Sequence, residues 1–238
     1  MGGAGVDSIA NMPRSAAVHQ LITVCLTVGV ELDEARAATL LAWRDRLLEE
    51  NSRVNLTGVR DPEDAVPRLI VDSLAVAADL AERPLPAHSK VVDLGTGGGV
   101  PGVPLAIAYP ELEVHLVESR VRKADAVRRI TNDLGLDVSI HRGRLGELLR
   151  QGTLPARGFD LVVVRAVAAL GLLVKEAAPA LKPGGRLVCW KADDLDPSER
   201  TAGDQAAARA GLTRLDDLVY SSYKPSRLVR YHRPETES

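Results

Sequence analysis

The stretch from Lys90 to Pro104, KVVDLGTGGGVPGVP, restricts the fold more than any other part of the chain. A short apolar run, Val91 and Val92, stops at Asp93; glycines follow at Gly95, Gly97 and Gly99, and a helix-compatible segment then begins. Such a pattern is a strand, a tight turn and a helix N-terminus. Glycine suits the turn because it takes positive φ without steric cost and lets the backbone touch a ligand. From Lys90 onward strand and helix patterns alternate, which argues an α/β fold with a parallel sheet covered on both faces.

The strands expected are Val91–Leu94, Glu113–Glu118, Asp137–His141, Asp160–Val164 and Arg186–Trp190, all parallel. A last pair, Thr213–Tyr220 and Arg227–His232, is joined by too few residues for a crossover helix and is expected to be antiparallel. The whole is a central, mainly parallel seven-stranded sheet with a C-terminal hairpin. Lys182-Pro183-Gly184-Gly185-Arg186 is expected as a helix C-cap and turn before the fifth strand. Ahead of the sheet, apolar residues from Ala16 to Val28 recur at helical spacing and Gly29 closes that helix. Asp33 is placed to cap a second helix with Leu40, Leu41, Leu47 and Leu48 as its buried stripe, and Asp61-Pro62-Glu63 opens a third, interrupted near Pro67. The expected organisation is a disordered tail (1–14), an N-terminal helical cap (15–88) and the sheet domain (89–238).

Aromatic residues make up 3% of the 238 residues, so the core must be built from Ala, Val and Leu. A net charge of −2 gives no global attraction for nucleic acid, and any such contact requires a local basic patch. Cys25 and Cys189 have no metal-site spacing and are expected as reduced, buried small hydrophobes; no metal is expected. No apolar run approaches membrane-spanning length and no signal peptide is visible at the start, so the expected location is the cytoplasm.

Two ligands compete for the glycine turn. Gly97-Gly98-Gly99-Val100-Pro101-Gly102 fits G-x-G-x-x-G, the fingerprint of NAD-type dinucleotide sites. There, however, the glycines sit in the first turn after the strand and cradle a pyrophosphate, whereas here the strand ends earlier, at Asp93-Leu94. The pattern D-x-G-x-G-x-G resembles motif I of the S-adenosylmethionine-dependent methyltransferases. That ligand joins an amino acid to a nucleoside and carries an ammonium that a carboxylate such as Asp93 can hold. The same carboxylate would repel a pyrophosphate.

Glu118 closes the second strand about twenty residues past the glycines, where an acid can accept both ribose hydroxyls of an adenosine. Arg142-Gly143-Arg144-Leu145-Gly146 follows the third strand, where backbone amides would face the adenine. Arg165 ends the fourth strand, facing the transfer point, and can bind a carboxylate or phosphate, donate to a carbonyl oxygen, or pair structurally with Asp93 or Glu118. Lys191, just past the fifth strand, is expected to project from the carboxyl edge of the sheet. No Asp/Asn-Pro-Pro-aromatic tetrad is present, and Cys189 lacks the setting of a nucleophilic thiolate. Arg120, Arg122, Lys123, Arg128 and Arg129 form the densest basic cluster, either a solvated helix face or a rim for RNA phosphates.

From Leu40 to His232 these segments resemble the glucose-inhibited division protein B family, the bacterial 16S ribosomal RNA guanine-N7 methyltransferases. The resemblance is carried by Asn55-Leu56-Thr57, Arg60-Asp61-Pro62, Asp72-Ser73-Leu74, the run Asp93 to Pro104 with its two prolines, Glu118-Ser119, Arg165-Ala166 and Ala169-Leu170. It implies a Rossmann-like class I methyltransferase fold, S-adenosyl-L-methionine as cofactor, and methyl transfer to N7 of a guanine in 16S rRNA, free or in the assembling small subunit. Carried over, the cofactor contacts fall on Gly95, Val100, Glu118, Leu145, Gly146 and Arg165, beside Asp93, Gly97 and Gly99 from the turn. Arg165 and Lys191 are expected to orient the acceptor base, and Arg120, Arg122, Lys123 and Lys191 to contact RNA. A monomer without membrane contact is expected. The chain departs from the family pattern at Glu50, Leu69, Ala126 and Gly146. Rival readings are a small-molecule methyltransferase, a dinucleotide-dependent oxidoreductase and a non-catalytic ribosome-binding protein.

Overall fold

The computed structural model describes residue 9, residues 12–165 and residues 168–235. The expected tail and Ala166 of the Arg165-Ala166 pair fall largely or wholly outside the described residues, although Ile9 is buried in the core. α1 (Arg14–Leu26) ends at Gly29, which takes φ 77°. α2 (Glu34–Asn51) is capped by Asp33, whose carboxylate accepts from the Arg36 amide. Leu40, Leu41 and Leu47 are buried together with Trp43, while Leu48 is only half-buried.

Asp61 caps α3 (Pro62–Ala65), with Pro62 at its first position. The interruption expected at Pro67 is instead a π-helical turn, Val66–Val71, that runs into α4 (Asp72–Leu74). Proline offers no amide to the ladder, and a wider turn absorbs the missing bond. Residues 69–77 are consequently buried without a break, so this segment is enclosed on every side. α5 (Ala77–Glu82) leads to the sheet.

The sheet region runs β1 (Lys90–Leu94), α6 (Gly102–Ala108), β2 (Glu113–Glu118), α7 (Val121–Asp133), β3 (Ser139–Arg142), α8 (Leu145–Arg150) and β4 (Phe159–Val164). It continues with α9 (Leu170–Ala177), β5 (Leu181–Ala192), α10 (Pro197–Arg209), β6 (Thr213–Arg214), β7 (Leu218–Ser221) and β8 (Pro225–His232). Among the described residues eight strands form one sheet in the order β3-β2-β1-β4-β5-β8-β6, with β7 also paired to β8. β1 to β5 are parallel and β8 is antiparallel to β5, β6 and β7. Strand period two divides the core. Val91, Leu161, Val163 and Val188 face the N-terminal helices, α6 and α7, whereas Val92, Val162, Val164, Leu187 and Cys189 face α8, α9 and α10.

Two local expectations are corrected. Thr213–Tyr220 is not one strand, which makes the segments eight and not seven. Residues 215–217 leave the ladder, where the Asp216 carbonyl accepts from Arg230 and the Asp217 carboxylate pairs with Arg200 and Arg227. Lys182 to Arg186 is not a separate turn either. It lies inside β5 as an irregularity, because the pairing moves from Phe159↔Leu181 to Leu161↔Arg186.

A buried ion cluster fastens the helical layer to the far half of the sheet. Asp79, fully buried on α5, accepts from Arg186 Nε of β5 at 2.9 Å and from Arg230 Nη1 of β8 at 3.1 Å. Removing one partner of such a cluster leaves uncompensated buried charge, at a cost of about 3–5 kcal/mol. Asp79→Ala should therefore lower unfolding free energy by roughly that amount in urea denaturation; a change below about 1 kcal/mol would reject the cluster as a structural tie.

Candidate functional site

Three adjoining cavities follow the carboxyl ends of the parallel strands. The first, about 210 Å³, is walled by Leu56, Thr57, Leu69, Gly95 to Gly98, Val100 and Arg165. Gly95 also lines the second, about 490 Å³, together with Val117, Ser119, Gly143, Leu145, Gly146 and Val164. Thr57 and Arg165 also line the third, about 890 Å³, which extends past Asp72, Trp190 and Lys191 to the hairpin between β7 and β8. The shared walls make one cleft. It sits outside the ends of β1 and β4, where the strand order reverses, which is where open α/β sheets bind ligands.

The glycines of the turn divide by task. Gly95 has φ 75° and a Cβ there would meet nothing within 4 Å, so its missing side chain is open cleft. Gly97, with φ 58°, has a comparably open surrounding and its amide donates to Glu118 Oε2 at 3.0 Å. Gly99, expected to touch the cofactor, instead faces the protein: a Cβ there would lie 2.6 Å from Val103 Cγ2 and 3.6 Å from Trp43 Nε1. Gly98 lets α2 approach, since its Cβ would meet Leu47 Cδ1 at 2.9 Å.

Asp93 is also corrected. It is fully buried, and its Oδ2 accepts from Thr96 Oγ1 at 2.6 Å and from the Gly102 amide at 2.8 Å. Its carboxyl therefore ties the turn to the start of α6 and does not stand in the cleft wall to grip an ammonium. Burial pushes its pKa up to about 7, against the hydrogen bonds from Thr96 and Gly102. Glu118 is 6% exposed; Oε2 takes the Gly97 amide and Oε1 the Arg120 amide at 2.8 Å. Each oxygen keeps lone-pair capacity for a further donor.

Arg165 pairs with neither Asp93 nor Glu118. Its Nε lies 3.0 Å from Asp72 Oδ2, and Asp72 Oδ1 accepts from Tyr220 Oη at 2.8 Å and Ser222 Oγ at 3.0 Å. Among the described residues Arg165 Nη1 is buried without a partner, a donor held in the wall shared by two cavities. Lys191 lines the largest cavity, but its ammonium donates to Ala168 O at 2.6 Å and Glu199 Oε1 at 2.7 Å with the side chain 8% exposed. It braces the chain leading into α9, so two of its three ammonium donors are spent on the protein instead of standing free at the sheet edge as expected. Cys189 is fully buried and its thiol is pushed up to about 12 by burial, so it is no nucleophile.

Arg120, Arg122 and Lys123 do come together, beside a separate cavity of about 350 Å³ that they share with Arg53 and Asn55. Two other members of the basic cluster are committed, Arg128 to Asp125 and Arg129 to Glu50. That last pair explains the departure at Glu50: Arg129 lowers the carboxyl's pKa chiefly by hydrogen bonding, and joins α2 to α7. The neighbouring Asn51 is buried. Its Oδ1 accepts from the Leu56 and Thr57 amides and its Nδ2 donates to Val59 O, which shapes the Asn-Leu-Thr loop against the cleft. Leu69 adds an apolar patch to the wall of the smallest cavity, and Gly146 leaves the middle one open. Thr57, Asp72 and Tyr220 were not foreseen as site residues. The Asn-Leu-Thr and Asp-Ser stretches marked two of them in sequence, but without their tertiary partners neither had a role.

The donor set fits a sulfonium nucleoside joined to an amino acid. A cavity with Val117, Leu145 and Val164 among its walls suits a purine, Glu118 suits ribose hydroxyls, and the Gly95 cradle with an arginine donor unpartnered among the described residues suits the amino-acid arm.

Residues 36–213 match the family described as rRNA small subunit methyltransferase G. The chain is 41% identical over 187 residues to ribosomal RNA small subunit methyltransferase G of Deinococcus deserti, covering 78% of this chain and 72% of that protein. It is 34% identical over 203 residues to the protein of that name from Roseiflexus castenholzii, covering 85% and 82%. Among solved structures, a methyltransferase from Pyrococcus furiosus aligns with TM-score 0.56 at 15% identity over 80% of this chain and 97% of that one. The [4+2]-cyclase SpnF aligns with TM-score 0.57 at 15% identity over 82% and 94%. These two show the fold alone.

The buried Asp93 predicts a pH effect. A folded-state value of about 7, above the ordinary 3.8, means its contribution to stability is full below the unfolded value and lost as pH rises through about 7. Asp93→Asn keeps the acceptor for Thr96 and Gly102 and cannot ionise. In thermal melts of the ligand-free protein, the variant should gain on the wild type between pH 3.8 and about 7 and stay level above that, with about tenfold per pH unit the largest effect one proton can have. Parallel stability profiles would refute this.

Proposed function

The chain belongs to the rRNA small subunit methyltransferase G family, and from that premise we infer that it transfers a methyl group to N7 of a guanine in 16S ribosomal RNA. It is an S-adenosylmethionine-dependent methyltransferase. The observation that carries the finer reading is the cleft itself: a cofactor-sized pair of cavities opening, past one fixed arginine, into a third large enough for a nucleotide.

Gly95, Gly97, Val100, Glu118, Leu145, Gly146 and Arg165 are the residues that would hold the cofactor, with Thr57 closing the wall beside them. The bound cofactor supplies an electrophilic methyl group. A purine N7 carries an in-plane lone pair and needs no proton removed, so the protein has to align the partners. Proximity and orientation can contribute about 7–11 kcal/mol to such a step. The side chains agree with that division of labour. Asp72, the carboxylate in the acceptor wall, already takes hydrogen bonds from Tyr220 and Ser222 and pairs with Arg165, so it holds its neighbours in place. Arg165, fixed through Nε, keeps a buried Nη1 donor to orient the cofactor's carboxylate or the guanine O6. We read residues 15–88 as a cap forming one wall of the cleft, and Arg120, Arg122 and Lys123 as a rim for RNA phosphates. We read it as a cytoplasmic monomer, a reading supported by the RNA substrate proposed; among the described residues no helix is long and apolar enough to cross a membrane.

Incubation with S-adenosylmethionine and 16S rRNA, or small subunits from a strain lacking the modification, should yield borohydride–aniline cleavage at one guanine. Methyl transfer only to small metabolites would favour the rival enzyme reading. Gly95→Asn should stay folded, because asparagine tolerates a φ of 75° and its added atoms enter open space, yet should abolish cofactor binding in calorimetry. Unchanged affinity would remove the turn from the site.

A further inference from the structure

The chain has two tryptophans, four tyrosines and one phenylalanine, and of these Tyr223 alone is exposed, at 40%. It stands at the tip of the hairpin between β7 and β8, on the rim of the 890 Å³ cavity. Two cations flank its ring: Arg68 Cζ lies 5.3 Å and Lys224 Nζ 5.6 Å from the ring centroid. Both also line that cavity. An exposed ring with cations beside it is an arrangement that can stack a base while meeting its phosphates.

The tip is held in register with the cleft. Ser222, the residue before Tyr223, donates to Asp72 Oδ1, and Tyr220 does the same from β7, so the carboxylate that fixes Arg165 also fixes the hairpin. Asp194, Asp196 and Glu199 also line the cavity, Glu199 held by Lys191 and Asp196 by the start of α10. Arg68 pairs with the exposed Asp64 at 2.9 Å, while among the described residues its Nε is buried without a partner.

Resting on the RNA reading above, we propose that Tyr223, Arg68 and Lys224 form the acceptor-strand site: the ring stacks on an unpaired base beside the target guanine, and the two cations take the flanking phosphates. Single-stranded loops expose bases for such stacking, and a target base must leave its stack to reach the cleft. This site is distinct from the basic rim at Arg120, Arg122 and Lys123, whose cavity shares no lining residue with this one.

Filter binding of transcribed 16S rRNA, with cofactor calorimetry on the same samples, tests it. Tyr223→Ala should weaken RNA binding about fivefold or more, and Tyr223→Trp should preserve it, since loss of one stacking contact is worth on the order of 1–3 kcal/mol. The double variant Arg68→Gln with Lys224→Gln should weaken RNA binding and flatten its salt dependence. Cofactor affinity should be unchanged in all three. Wild-type RNA binding with an unaltered Tyr223→Ala overturns this site alone. A wild type that holds cofactor but neither binds nor methylates the RNA overturns the RNA reading, and this site with it.

Discussion

Asp72 holds the working end of the molecule together. It lies on a segment buried on all sides, and its carboxylate meets Arg165 from the end of β4 and two hydroxyls from the hairpin. Its backbone carbonyl accepts from Trp190 Nε1 of β5 at 2.7 Å. A buried carboxylate shared in this way is held by several donors at once, so it fixes the relative positions of segments that no strand pairing joins directly. The cofactor cleft, the acceptor cavity and the hairpin rim are in register because they share this one group.

The glycine turn has two audiences. Gly95 and Gly97 leave room for a ligand, while Gly98 and Gly99 leave room for α2 and the start of α6. Gly102 is equally constrained, since a Cβ there would lie 2.3 Å from Leu116 Cδ2 and 2.8 Å from Asp93 Oδ2. A run of glycines is thus only partly a measure of ligand contact. The rest lets the helical layer close on the sheet, and closure of that layer is what turns an open sheet edge into a walled cleft.

The parallel strands, the capping residues Asp33 and Asp61 and the terminal hairpin were legible because each is signalled by neighbours in sequence: strand runs, caps and turns are local patterns. Gly95, Val100, Leu145 and Gly146 line the cleft, with Glu118 bonded to the Gly97 amide beside it, because they lie at strand ends whose order the pattern implies. Asp93 and Lys191 are engaged within the protein in ways their positions in sequence do not signal. Each has the right address at the carboxyl edge, but Thr96 and Gly102 draw the first inward, and Glu199 and Ala168 engage the second.

By itself the sequence determined the class of fold, the place of the cleft and the kind of cofactor, because backbone geometry at a strand–turn–helix junction is fixed by residues a few positions apart. Only the tertiary structure decided which charged groups remain available. Asp72 with Arg165, Glu50 with Arg129 and Tyr223 with Arg68 are far apart along the chain, and a charge is free or committed according to what folding brings within about 3 Å of it or stacks against it.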